Sequence, residues 1–444
     1  MKQLLFMIAA TTAGTVGVYA ISPFLGVFVY YMFVVLRPQY MWEWSLPPDV
    51  NWSYYVALAT IGAVVIGHHS GTSVEETEGA RRPRFSLAHW TVLVFGIWVG
   101  ITYLTARNHD AAYLALIEYL KIFIMFTVST FLIRTTRQVW ALFVMTALAL
   151  GYICYEINYL YLTSGDLRIF KYGYGGLDNN GAGLMLAMGV PMCWFCYQGM
   201  RRWYRWLFIA LVPVMVHAVL MTYSRGAMVS LLLMCPALLL RSRNRVWVSV
   251  VFAGFFLVLI PIMAGPEIRA RFLTIEEHEI DESANSRRAA WKAAWKMAVE
   301  NPIFGVGLRN SPIYSYQYGA DSEGRVIHSQ YFQIAADNGF VGLGLYLCVL
   351  GTAWGSLRHC RRQFLGRTDP EGLRMLALVN GIECSLIAYC VGACFLSLET
   401  CELPYLLILL TAQLGVLAGG LEGGGQDDSA CLPVYDQEAC LVSQ

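Results

Sequence analysis

The residues able to do chemistry gather in four short polar stretches. His328 lies within the long segment Ala284–Leu347, shortly before an apolar run that begins near residue 338. Imidazole can accept a proton near neutral pH, and a histidine delivered to the mouth of a membrane helix stands where a substrate can meet it. Arg225 lies in Thr222-Tyr-Ser-Arg-Gly-Ala227, the turn between two apolar runs. A guanidinium beside the unpaired amides of a helix start is a natural phosphate site; the plainer alternative is an interfacial arginine that snorkels. Gly226 and Ala227 are expected to leave room there for a bulky headgroup.

The third stretch, Arg168-Ile-Phe-Lys171-Tyr-Gly-Tyr-Gly-Gly-Leu-Asp178-Asn179-Asn180, carries two cations, flexible glycines and a helix-capping signal. Arg168 and Lys171 are candidates to contact pyrophosphate or sugar, with Asp178 and Asn179 beside them. The fourth is Asp281-Glu-Ser-Ala-Asn-Ser-Arg287-Arg288, followed by an amphipathic helix with Trp291 and Trp295 on one face. Ser283 or Ser286 is expected to cap it. Arg287 then falls in the first turn, where a cation opposes the helix dipole unless an anion is bound nearby. Arg288 is expected in solvent.

These stretches need a scaffold, and composition says which kind. The chain has 444 residues, 57% hydrophobic and only 14% charged, with a mean hydropathy of +0.51. That excludes an ordinary soluble domain, and the apolar residues come in blocks of about 20, the length that crosses a bilayer. The fold expected is all-α: a polytopic transmembrane helical bundle of about 12–13 spans with one long, partly helical periplasmic loop. The spans read 3–20, 22–36, 53–67, 87–105, 112–133, 139–162, 180–199, 206–223, 225–240, 246–264, 338–356, 374–397 and 403–418. Four units follow: an N-terminal bundle at 1–264, the loop at 265–337, C-terminal helices at 338–418, and a disordered cytoplasmic tail at 419–444.

Arginines cluster in the turns after alternate spans, at Arg81 to Arg84, Arg134 and Arg137, Arg201 to Arg205, Arg241 to Arg245, and Arg358 to Arg367. The positive-inside rule puts all five on the cytoplasmic side and the loops at 163–179 and 265–337 outside. Residues 1–36 read either as two full crossings or, given Gly14, Gly17, Pro23 and Gly26, as a re-entrant hairpin. Most of the 12 cysteines lie within spans and are expected as small core residues, the Cys193-Trp-Phe-Cys196 spacing included. His217 reads as a packed polar residue, Glu118 and Lys121 as a pair within the bundle, and Glu399 and Glu402 as acceptor contacts in an outer turn. No metal-ligand set is evident, and no cofactor is expected.

Taken together the motifs resemble the O-antigen ligase/polymerase superfamily. The matching pieces are Tyr223-Ser-Arg-Gly-Ala227, Asn301-Pro-Ile-Phe-Gly-Val-Gly307 and His328-Ser-Gln-Tyr-Phe-Gln-Ile-Ala-Ala-Asp-Asn-Gly339. His328-Ser329, where much of the superfamily has His-Asn, is similar to O-glycosylation ligases associated with exosortase A. Asp178-Asn-Asn180, Phe395-Leu-Ser-Leu398 and Glu402-Leu-Pro-Tyr405 also fit that subgroup. Tyr174-Gly175-Gly176 and Arg37-Pro38-Gln39 depart from its pattern.

The resemblance implies a bacterial inner-membrane, multi-pass glycosyltransferase with its active site facing the periplasm. It would transfer a glycan from undecaprenyl pyrophosphate to an acceptor hydroxyl on a lipid, glycan or protein, metal-independent and inverting. His328 is implied as the base and Arg225 and Arg287 as the cations on the leaving pyrophosphate. Ser224 and Tyr331 join Arg168, Lys171, Asp178 and Asn179 as substrate contacts. The partners implied are the lipid-linked donor, the acceptor and the bilayer; nucleic acid is not among them. Two other readings stay open at this level: a polymerase that extends repeat units on the carrier, and a lipid-linked oligosaccharide flippase. A transporter should carry its polar residues at mid-membrane, whereas here the unusual charges gather at one face.

Overall fold

A computed structural model describes residues 1–48, 50–67, 85–243 and 279–427. The expected span 246–264, the first part of the loop (265–278), Arg81, Arg82, Arg84 and Arg245, and the tail from residue 428 lie outside the described residues.

The other twelve expected spans are all helices. In the N-terminal half α1 is Lys2–Ala20, α2 Pro23–Leu36, α4 Trp52–Val65, α5 Leu87–Leu104, α6 His109–Leu132 and α7 Thr136–Ser164, with a short α3 at Pro38–Met41. After a short α8, Arg168–Tyr172, come α9 Asn179–Gly199, α10 Arg205–Met221 and α11 Arg225–Arg241. Beyond the undescribed segment lie α12 Glu279–Glu300, α13 Ser311–Tyr314, α14 Gln330–Phe364, α15 Pro370–Gly392 and α16 Glu402–Asp427. Helices α1, α5, α6, α7, α14, α15 and α16 are long and apolar enough to cross a membrane; α2, α4 and α10 are apolar but shorter. The protein is an all-α polytopic membrane protein, and among the described residues β-pairing is limited to an isolated bridge between Tyr174 and Leu177.

Helix α9 is the axis of the bundle. It is buried along both of its faces from Gly181 to Cys196, packed against α15, α10, α7 and α11. A helix apolar all round belongs inside, and Cys193 and Cys196 are two of its fully buried residues. His217 of α10 is buried too, bonded through Nδ1 to the Asn158 side chain of α7. Glu118 and Lys121 do pair, at 2.8 Å, but on the surface.

Residues 1–36 form two successive helices. The glycines there do not break them; they let them touch. A Cβ on Gly26 would lie 2.1 Å from Thr60 Oγ1 and 2.5 Å from Val18, and one on Gly14 2.9 Å from Val29. At the C-terminal side, α16 continues to Asp427, beyond residue 418 where the last span was expected to give way to a disordered tail.

The helices alternate in direction, so the connecting turns fall at two ends. At one end Arg241 and Arg361 converge on the buried Glu383, at 2.7 and 3.0 Å, and Arg374 lies over the Trp140 ring. This is the end of the arginine-rich turns. The candidate site occupies the other.

Candidate active site

Two helix N-termini stand side by side at that end. Asp178 caps α9, its Oδ1 accepting from the Gly181 amide at 2.7 Å. Ser224 caps α11 by accepting from the Ala227 amide at 3.3 Å. The caps are wired together: the Ser224 hydroxyl donates to Asn180 Oδ1 at 3.0 Å, and Asn180 Nδ2 donates to Asp178 Oδ2 at 3.2 Å. Asn179 Nδ2 adds a bond to the Thr222 carbonyl at 3.0 Å. Close approach depends on Gly183, where a Cβ would fall 2.7 Å from Thr222 Oγ1 and 3.0 Å from Ala227 Cβ. The smallness of Gly226 and Ala227 has the same use. Ala227 is buried against α9 and Gly226 faces Phe395, so these residues serve helix packing and leave no space for a headgroup, contrary to the expectation from sequence. Arg225, the first residue of α11, is exposed in front of this pair of positive helix ends.

Arg287 arrives from α12. This helix buries Ala290, Ala293, Ala294, Met297 and Ala298 in a small second core with Val306, Ile327 and Ala336. Trp291 and Trp295 do share a face: Trp291 stacks on Phe332 at 5.7 Å and Trp295 meets the edge of Phe340 at 5.3 Å. Arg287 lies one turn before Trp291 and is thereby carried over the start of α14. The helix begins at Glu279, ahead of both serines. Neither Ser283 nor Ser286 is therefore its cap, and Arg287 is not in its first turn. Ser286 bonds Asp321 instead, and the Arg325 guanidinium at 2.6 Å, with that bond, holds the Asp321 carboxyl below the usual carboxylate range.

His328 directly precedes Ser329, the N-cap of α14, and its backbone is left-handed, φ 52°. Such a conformation is uncommon for a non-glycine residue and collects at functional sites. Burial lowers the His328 pKa below its ordinary value; Arg287 and Arg325 lower it further, and Asp178 opposes them. Burial, then the neighbouring Arg225 charge, likewise lowers Arg287, with Asp178 again opposing. Arg287 is thus within electrostatic reach of His328, Arg225 and Asp178, and Asp178 of His328, although they are far apart in sequence.

The remaining expected contacts divide. Lys171 is exposed on α8, and α8 is anchored by Phe170, whose ring lies 4.9 Å from Tyr223. Arg168 is engaged by Glu43 at 3.2 Å and Asp166 at 3.7 Å, outside the group around His328. Tyr331 turns into the bundle, its hydroxyl donating to the Cys390 carbonyl at 3.0 Å. Glu399 is buried, and burial and the nearby Asp337 carboxyl push its pKa up. Glu402 is close to Arg37, at 4.0 Å.

Sequence reasoning missed the device that holds His328 in place. Helix α14 is broken at Gly339, φ 71° and ψ 178°, so residues 330–338 form a separate short helix in front of the span. The segment Asn301-Pro-Ile-Phe-Gly-Val-Gly307 docks on the break. Phe340 N donates to Pro302 O at 2.8 Å, Val306 N to Ala336 O at 2.8 Å and Gly307 N to Asp337 O at 3.1 Å. Asn338 secures the other side, accepting from Thr102 Oγ1 at 2.7 Å and, through its carbonyl, from Trp98 Nε1 at 2.9 Å. The Asn338-Gly339 dipeptide was the available signal. Arg37, Tyr223, Arg309 and His328, the non-glycine residues with positive φ among the described residues, all lie at this end.

The histidine's low pKa leaves it neutral and able to accept a proton at neutral pH. Two arginines in front of two helix starts are suited to a di- or polyanion. No curated protein matches the chain. Residues 210–347 match the family model described as O-antigen ligase, a stretch that runs from α10 through Arg225, Arg287 and His328 into α14.

Proposed function

We propose that the protein transfers a glycan from undecaprenyl pyrophosphate to an acceptor hydroxyl on the periplasmic side of the inner membrane. The observation that carries this reading is the convergence of Arg225, Arg287 and His328 beside the paired starts of α9 and α11. Neutral His328 takes the proton of the acceptor hydroxyl as its oxygen attacks the anomeric carbon. The bond from that carbon to the pyrophosphate oxygen breaks, with inversion. Arg225 and Arg287 stabilise the charge that grows on the departing pyrophosphate, usually the largest single contribution to such a transfer. The reaction so written needs no metal. Asp178, Asn179 and Ser224 act by fixing the two helix starts, and Lys171 is the further cation free to meet the donor.

Within the superfamily we place the chain with the O-glycosylation ligases associated with exosortase A, on the strength of His328-Ser-Gln-Tyr-Phe-Gln333 and Asp178-Asn-Asn180.

The test is reconstitution of the purified protein with an undecaprenyl-pyrophosphate glycan and acceptor, in the presence and absence of EDTA. Wild type should release undecaprenyl pyrophosphate under both conditions. His328→Ala should lose about 10²–10⁴-fold in rate, the usual contribution of a general base, with unchanged expression. Full release by that variant would sink the assignment, and the size of the labelled product separates a ligase from a polymerase.

A further inference from the structure

On the flank of the bundle, lined by none of the residues around His328, a groove of about 770 Å³ runs between α1, α2 and α7. Helix α1 packs against α2 and α4, and the gap between it and α7 is floored by α2. Phe28, Met32 and Leu36 of α2 form the floor, and Val144, Met145 and Leu148 of α7 form the wall. The outer end is arched over by aromatic rings: Phe6 of α1 meets Trp42 edge-on at 5.8 Å, and Trp42 meets Tyr152 of α7 at 6.3 Å. Just beyond the arch, one helical turn from Phe6 on the same face of α1, is Lys2. Lys2 is exposed and makes no ion pair among the described residues. Apart from Lys2 and Gln3 the lining is apolar or aromatic.

We infer that this groove is a binding site for one anionic phospholipid, its hydrocarbon chain lying along α2 and α7 beneath the aromatic arch and its phosphate against the Lys2 ammonium. An apolar slot of this size within a membrane helix bundle is filled by hydrocarbon, and slots of a few hundred Å³ or more are typical of specific ligand sites. The arch gives the slot fixed walls, which a chain in the free lipid shell lacks. The cation at its outer mouth gives it a preference among headgroups, because an ammonium favours a net negative phosphate over a zwitterion. The donor lipid is a poorer occupant: its pyrophosphate is claimed by Arg225 and Arg287, whereas this groove carries a cation of its own.

The experiment is native mass spectrometry of the delipidated full-length protein, titrated separately with phosphatidylglycerol, phosphatidylcholine and undecaprenyl phosphate. Wild type should retain one phosphatidylglycerol with about fivefold preference over phosphatidylcholine, the ratio set by one interfacial lysine. Lys2→Gln, a surface change, should bring that ratio close to one while still retaining lipid. Leu148→Trp and Met32→Trp fill the slot from opposite sides, and each should remove the retained lipid whatever its headgroup. Equal retention of the two phospholipids by wild type, an unchanged ratio in Lys2→Gln, or full retention in both slot-filling variants overturns the inference. Tighter retention of undecaprenyl phosphate than of phosphatidylglycerol overturns it as well and reassigns the groove to the donor.

Discussion

The Asp337 carboxylate accepts a 2.6 Å hydrogen bond from the Ser311 amide, and both residues are buried. This one bond joins the start of α13, in the loop, to the last turn of the short helix that follows His328. The Asp337 carbonyl meanwhile holds Gly307. The described part of the loop, residues 279–337, is therefore not a flap laid over the bundle. It is bolted to the helix that carries the proposed base, and α12, with Arg287, is bolted to it through the same small core.

Asp337→Ala should accordingly act at a distance. It leaves the Ser311 amide buried without an acceptor, at a cost of about 1–3 kcal/mol, and it should lower the thermal unfolding midpoint in detergent. Transfer should fall with it, because His328 and Arg287 lose their common support. Asp337→Asn keeps an acceptor oxygen and should recover much of the stability. Equal destabilisation by the two variants would show that charge, and not the bond to Ser311, is what matters.

Gly339→Ala is expected to be more damaging than any other small change in α14. The residue has φ 71°, and an added Cβ would fall 2.0 Å from the Ile303 carbonyl oxygen. The docked segment 301–307 has to move away, so activity should be lost and the loop should become open to limited proteolysis. Gly344→Ala is the control: its Cβ meets nothing within 4 Å, and in a helix the change should be neutral or stabilising by up to about 1 kcal/mol. Intact loop protection in Gly339→Ala would refute the docking described above.

Ser224→Ala removes the cap of α11 and its bond to Asn180 together. A lost N-cap costs about 1 kcal/mol, a modest effect on a protein this size. The larger effect should be on donor binding, because the start of α11, and Arg225 with it, is no longer tied to α9. In steady-state kinetics KM for the lipid-linked donor should rise more than kcat falls. Ser224→Thr can cap as well and should restore most of the KM. A fall in kcat with unchanged KM would place Ser224 at the reacting atoms instead.

The span pattern was legible because an apolar block of membrane-crossing length has few other uses, and twelve spans appear as helices close to where hydropathy put them. The polar stretches could be picked out for a similar reason, because charges are few beside the spans, and Asp178, Arg287 and His328 do come within electrostatic reach of one another. Side-chain direction was not legible. Tyr331 sits in the most chemistry-laden motif and still faces the bundle, bonded to Cys390. Gly226 and Ala227 looked like clearance for a ligand and proved to be clearance for a helix. The caps expected at Ser283 and Ser286 failed because α12 already runs from Glu279, which puts both positions inside the helix. Asp337 and Asn338 sit at the edge of an apolar run, where the period of the pattern does not reveal a break in the helix and only the Asn338-Gly339 pair marks it.

The pH dependence of transfer gives the sharpest test of the site. His328 must be neutral to take a proton, so kcat/KM rises with pH through its pKa and levels off above it. Burial and the Arg287 guanidinium hold that pKa below its ordinary value, so the rising limb should lie on the acid side of about 6.5. Arg287→Gln removes a positive charge that disfavours the imidazolium. The limb should then move to higher pH, while the plateau falls by about 10²–10³ through loss of leaving-group stabilisation. Asp178→Asn removes the one negative charge that favours the imidazolium while keeping a residue that caps helices equally well. Its limb should move the other way, to lower pH, with a smaller loss of plateau. Opposite displacements from two residues on different helices are hard to produce by general destabilisation. A profile that stays in place in both variants would mean that the group titrating in the reaction is not His328.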